Sequence, residues 1–389
     1  VTEIKSYFVF DRLIDESDFC NFTKERKRLE EHIGRGDCVK LYGPRNFGKT
    51  SLLKNIIAKQ WEATAPAQRI AIYADLFSVQ TLEDIDLEIH RAFSFALNTK
   101  RSHLSKGFDW LKMLKNIRPT WTISGDPSSF GEFSFTFEQK QGAPDLGAII
   151  ESINILNAKN ELKFLIILDE FQEIAKIKKA EAHVRGALQN LSSKIPVVIL
   201  GSKQHLLTKI FEKPRAPFNS WGFTVEFKPI PTLEYAQYIN QRTSESGFSL
   251  SLEVSEFLQS RLNRIPEAIN RFCAFMCTQK LGPIITIEQI DNLLAEFVDL
   301  SRSTYEFQFA HFSVSSQRFI VALAKSGPST HLTGMEFLRK IPSISKSNLS
   351  NILSHLLDDS VVSQGFDTHG TKIYWVTDPF FAFFARKYK

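Results

Sequence analysis

Residues 41–53 read LYGPRNFGKTSLL. Gly43, Gly48, Lys49 and Thr50 fill every fixed position of the pattern G-x-x-x-x-G-K-[ST]; the apolar run CVKLY (38–42) leads into it and the amphipathic run TSLLKNIIAKQW leads out. No other feature restricts the fold as tightly. A strand must turn sharply into a helix here. Glycines at the corners let successive backbone N–H groups face inward, and the positive end of the helix adds to their field, so the corner cradles an anion. Gly43, Pro44, Arg45, Asn46, Phe47, Gly48, Lys49, Thr50 and Ser51 are therefore expected to wrap the phosphates of a nucleotide. Lys49 is expected to neutralise the terminal phosphates, and the Thr50 hydroxyl to ligate Mg²⁺.

A second stretch, FLIILDEFQ (164–172), sets two carboxylates at the end of an apolar strand pattern. In an open α/β sheet that carboxyl edge is where ligands sit. Asp169 is expected to hold Mg²⁺ through its water shell, and Glu170 to polarise the attacking water as general base. A third, PVVILGSKQHLL, ends its strand in Gly201, Ser202 and Lys203. Ser202 is expected to touch the terminal phosphate or the water, with Lys203 the lesser candidate for the same sensing role.

RIAIYADL (69–76) and FTVEFKPI (223–230) read as two more strands, and helical spacing fills the intervals. Apolar strands alternating with helices predict an α/β fold with a parallel sheet covered on both faces. TWTISG and EFSFTFEQK predict a β-hairpin inserted at about 119–139, preceded by a helical pattern, FDWLKMLKNI. From Pro231 to about Leu300 the pattern reads as wholly helical; after Ser313 it runs helix, helix, helix and two strands around a polar turn.

Composition narrows the class further. Hydrophobic residues make up 43% and charged residues 23%, as in an ordinary globular protein, and no apolar run approaches the ~18–20 residues of a membrane span. The acidic amphipathic start lacks a basic leader, so a cytoplasmic protein with no membrane partner is expected. Four cysteines are too few for a disulfide framework, and Cys273 and Cys277 in RFCAFMC read as buried thiols. The net charge is +5, and from Phe312 onward nine Lys/Arg face five Asp/Glu, a mild bias toward a polyanionic partner.

The three motifs in this order resemble the archaeal and bacterial ATPases of the STAND group, within the AAA+-like P-loop ATPases that use a catalytic glutamate. The resemblance runs over almost the whole chain, though Arg264 in NRIPEA stands where the family's lid motif has glycine. It implies a P-loop NTPase core (1–230), a helical lid (231–305) and a winged helix (306–389). It also implies ATP/ADP and Mg²⁺ as cofactors, slow hydrolysis driving a switch between closed and open arrangements, and a nucleotide contact from the lid at Pro266. An arginine finger, for which Arg185 and Arg215 are candidates, would come from another subunit or a moving domain, so an oligomer can form on activation.

Within 306–389, the helix in SKSNLSNILSHLLDD offers Lys346, Asn348 and Asn351 to base edges or phosphates, and the turn GFDTHGTK holds His369 and Lys372. Double-stranded DNA or a protein partner is the expected occupant. Three readings follow: a regulatory ATPase switch, a DNA-binding initiator or loader, and a nucleotide-stabilised interaction scaffold without turnover. The Asp169–Glu170 pair argues against the last, because a pure binder has little need of a water-activating carboxylate.

Overall fold

The structure, a computed structural model, describes residues 8–20, 22–100, 145–158, 162–332, 334–342, 344–366 and 371–389. The hairpin expected at about 119–139, the pattern FDWLKMLKNI and His369 lie outside the described residues. The described chain forms two compact units, one from Thr23–Tyr42 and Thr50–Glu226, the other from residues up to Phe22, Gly43–Lys49 and Phe227–Lys389.

In the first unit five strands, β1 (Cys38–Tyr42), β2 (Arg69–Asp75), β3 (Lys163–Asp169), β4 (Val197–Leu200) and β5 (Phe223–Glu226), form one sheet in the order β2-β3-β4-β1-β5. Every pairing is parallel, as the sequence pattern predicts. β3 is buried at every position after Lys163, and β4 throughout. Strands covered on both faces need apolar side chains on both, which is why these two read as continuous runs. β2, at the edge, buries only Ile70, Ile72 and Ala74 in alternation. Asp75 stands opposite Asp169, so the carboxyl ends of β2 and β3 finish level.

Helices cover the sheet. The one after β1 starts at Lys49–Ser51, passes through a π-helical stretch at Leu52–Ile57 and continues as Ala58–Ala63. Leu82–Thr99 opens on a capping box: the Asp84 N–H donates to Thr81 Oγ1 (3.1 Å) and the Thr81 N–H to the Asp84 carboxylate (2.9 Å). Its Ile85, Ile89, Phe93 and Leu97, four residues apart, make the buried stripe. Leu146–Ala158, Ala180–Gln189 and Gln204–Phe211 complete the unit. β5 stops at Glu226, short of the expected 230, because Pro229 and Pro231 have no N–H to give a ladder.

The second unit contains Thr232–Thr243, Leu252–Arg261, Pro266–Cys277, Ile287–Asp299 and Arg302–Ala310. It is not wholly helical up to Leu300. β6 (Ser249–Leu250) pairs in parallel with β7 (Ile284–Ile285). Each is two residues long and runs straight into a helix N-cap, Ser251 or Thr286, too short to show an alternating period. Cys273 is buried and Cys277 half-buried, and burial raises both thiols, which keeps them protonated and unreactive.

The chain continues as Val314–Ser326, Met335–Leu338 and Lys346–Asp358, then β8 (Val362–Phe366) antiparallel to β9 (Lys372–Val376). It ends in a helix the aromatic tail does not advertise, Pro379–Tyr388, capped by Asp378 Oδ1, which accepts from the N–H groups of Phe380 (2.8 Å) and Phe381 (3.3 Å). Phe380, Phe381 and Phe384 are buried, and the helix packs on Val314–Ser326 and Ile287–Asp299.

Candidate functional site

The loop Gly43–Lys49 belongs to the second unit. Gly48 has φ +80°, a left-handed conformation that side chains resist, and the Phe19 ring lies 3.3 Å from where a Cβ would sit. Lys49 is only 6% exposed, and its Nζ donates to the Pro44 carbonyl at 2.6 Å, bracing the loop from within. The Phe47 and Ser51 side chains are buried, which leaves their backbone N–H groups as what they can offer a phosphate. Arg45 and Asn46 are exposed.

Asn46 makes a two-point link to the helix Pro266–Cys277. Its carbonyl accepts the Glu267 N–H (3.4 Å), and its Nδ2 donates to Glu267 Oε2 (3.3 Å). Pro266 is the first residue of that helix, and its carbonyl accepts the Tyr235 hydroxyl at 3.0 Å. Pro266 is thus joined to the loop through its neighbour. Arg45, Asn46, Glu267, Arg271 and Asp378 line a cavity of about 340 Å³. Burial raises the Glu267 and Asp378 carboxyls, and the Arg271 charge works against that rise in both. The Arg271 guanidinium lies over the rings of Phe297 and Phe380, at 5.4 and 5.3 Å.

The acidic edge belongs to the first unit. Asp169, 3% exposed, accepts at Oδ2 from the Thr50 hydroxyl (2.7 Å) and the Tyr73 hydroxyl (2.6 Å), and at Oδ1 from the Glu170 N–H (2.7 Å). A hydroxyl and a carboxylate in direct contact supply the hard oxygen donors that Mg²⁺ takes, so this pair fits the metal. Glu170 sits at φ 50°, ψ 36°, and both of its carboxylate oxygens accept from Ser202 Oγ, at 3.2 and 3.1 Å. Lys203 turns instead toward Glu173, 3.9 Å away.

Sequence reasoning missed Tyr73. It is the one phenol in an otherwise aliphatic strand, RIAIYADL, and that oddity was the available signal. Burial and the adjoining Asp169 push its hydroxyl well up, so it stays a neutral donor. Tyr73→Phe removes one charge-assisted hydrogen bond to Asp169; if Thr50 and Asp169 hold Mg²⁺ for hydrolysis, the Mg²⁺ concentration for half-maximal turnover is expected to rise about 10-fold. A magnesium titration with an unchanged midpoint contradicts this role. Glu267 was missed too, because its partner lies far off in sequence.

Other candidates stand elsewhere. Arg185 lies in the helix Ala180–Gln189, and its charge works against the burial that raises the Cys38 thiol at the start of β1. Arg215 is exposed, with φ 66°. Lys346, Asn348 and Asn351 are exposed in and around the first turn of Lys346–Asp358, which Ser345 caps by accepting the Asn348 N–H (3.3 Å); Lys372 is exposed at the start of β9. No helix among the described residues is long and apolar enough to cross a membrane.

A parallel five-stranded sheet whose β1 enters a complete phosphate-loop sequence, with Asp169 and Glu170 closing β3, defines the fold as that of a P-loop NTPase. Known proteins agree. Residues 27–213 match the KAP family P-loop domain. No curated protein sequence matches the chain. Among solved structures, a Walker-type ATPase of Pyrococcus abyssi is similar at a TM-score of 0.65 and 16% identity, over 98% of this chain and 99% of that one. The Orc2 protein of Aeropyrum pernix, in its ADPNP–ADP complexes, is similar at 0.54 and 16% identity, over 98% of this chain and 96% of that one.

Proposed function

We propose that this chain is an ATP-binding and ATP-hydrolysing regulatory ATPase of the STAND or AAA+-like type, whose nucleotide state sets the placement of a C-terminal winged helix. One observation carries the reading: Thr50 and Asp169 are hydrogen-bonded at 2.7 Å and are followed at once by a Glu170 carboxylate anchored by Ser202. The loop N–H groups cradle the phosphates, Lys49 neutralises them, and Glu170 takes the proton of the attacking water. Thr50 and Asp169 would hold Mg²⁺, which when bound offsets charge on the phosphate oxygens. Pro266, next to the Glu267 that Asn46 of the loop grips, is the lid residue assigned to the nucleotide. The nucleotide seen in the Aeropyrum Orc2 structure supports ATP or ADP as the ligand of this fold.

The switch has a physical route. Asn46 in the loop grips Glu267, Arg271 lies one helical turn further on over the Phe380 ring, and Arg271 lines the same cavity as Asp378, the cap of the last helix. A loop that changes shape with the γ-phosphate would pull on this series of contacts. In this account residues 1–230 are the ATPase core with the insertion at about 119–139, 231–305 the lid and 306–389 the winged helix.

A second reading, a DNA-binding initiator or loader, draws on the exposed Lys346, Asn348 and Asn351. Hydrolysis measured with and without duplex DNA separates the two. A switch awaiting a protein partner turns over well below the ~1–10³ s⁻¹ of typical enzymes and ignores DNA. Turnover raised severalfold by DNA would put the initiator-like reading first.

A further inference from the structure

Gln172 is fully buried, yet it is polar and only half satisfied. Its Nε2 donates to Glu170 Oε2 and, at 3.4 Å, to Glu173 Oε1. Its Oε1 has no hydrogen-bond partner among the described residues and lies against Gly201, where any Cβ would overlap it. The two carboxylates fix the direction of the amide, since a flipped Gln172 would set its carbonyl against both. A buried acceptor without a donor is uncommon and calls for an explanation. An apolar side chain would fill this space without that cost.

From this geometry we infer that Gln172 is a positioning residue for Glu170, and that Gly201 is the space that lets it reach. Two donors fix the Glu170 carboxylate: the Ser202 hydroxyl, shared between Oε1 and Oε2, and the Gln172 amide at Oε2. A carboxylate has about four acceptor directions, so these two donors leave room for the attacking water. The neighbouring element holds the amide steady: Phe171–Lys176 packs on Gln204–Phe211, with the Phe171 and Phe211 rings stacked at 6.0 Å. The glycine before Ser202 is thereby explained as clearance for a side chain arriving from β3's end.

This inference rests on the ATPase reading above, and its test separates the two. Gln172→Leu keeps similar bulk and removes the donor; Gly201→Ala keeps the donor and displaces it. Each is expected to lower kcat on the order of 10²-fold, while the Kd for ATP stays within about 2-fold of wild type. Placed on Glu170→Gln, either substitution should cost no further turnover, because the residue through which it acts is already disabled. A merely structural role would weaken binding as well, and would add to Glu170→Gln. Wild-type turnover together with an unchanged or faster kcat in Gln172→Leu overturns the positioning role alone. A wild-type chain that binds ATP without hydrolysing it overturns the ATPase reading, and this inference with it. If Gln172→Leu fails to fold, Gly201→Ala carries the same test.

Discussion

Lys49→Ala is expected to weaken ATP binding by about 100-fold or more. The Lys49 ammonium is nearly buried and donates to the Pro44 carbonyl at 2.6 Å, so in the proposed site it would serve the loop twice, as a charge for the phosphates and as a brace for the backbone around them. A hydrogen bond involving a charged group contributes about 1.5–3 kcal/mol, and each 1.4 kcal/mol is about a factor of ten in Kd. Losing the phosphate contact alone accounts for about 10- to 100-fold, and a slackened loop adds to it. Calorimetry or a fluorescent ATP analogue reads the result. An affinity within a few-fold of wild type would mean that the loop does not hold phosphates through this residue.

Glu170→Gln is expected to behave in the opposite way, keeping ATP affinity and lowering turnover by about 10²–10⁴-fold, the usual contribution of a general base. Glutamine preserves the size and the oxygen that accepts from Ser202 Oγ, but it takes no proton from water. Binding should survive because the groups assigned to the phosphates, the loop N–H donors and Lys49, are untouched. Equal hydrolysis by the two proteins would remove Glu170 from the chemistry and leave the base unassigned.

Parts of this account were legible in the sequence for reasons that lie in the physics of each element. CVKLY is β1 residue for residue, because a strand buried on both faces shows itself as a largely apolar run, here broken only by Lys40. KFLIILD was as plain. β6 and β7 were hidden by their length, two residues each. The helix Pro379–Tyr388 was hidden by its aromatic density, although Asp378 before Pro379 is a helix-start signal in its own right. The site divides along the same line. The phosphate loop and Asp169–Glu170 are local in sequence and could be named from it. Tyr73 meets Asp169, Asn46 meets Glu267 and Gln172 meets Gly201 only after the chain has folded back on itself. Single-residue spacing carries no trace of such meetings.

Hydrogen exchange across Pro266–Cys277 and Pro379–Tyr388, with Glu170→Gln held in ATP and wild type held in ADP, tests the claim of a nucleotide-controlled switch most directly. The cavity that Asn46, Glu267, Arg271 and Asp378 line together, with Arg271 over the Phe380 ring, predicts different protection of the last helix in the two states. Equal protection with both nucleotides bound would contradict it and leave an ATPase that does not move its C-terminal module.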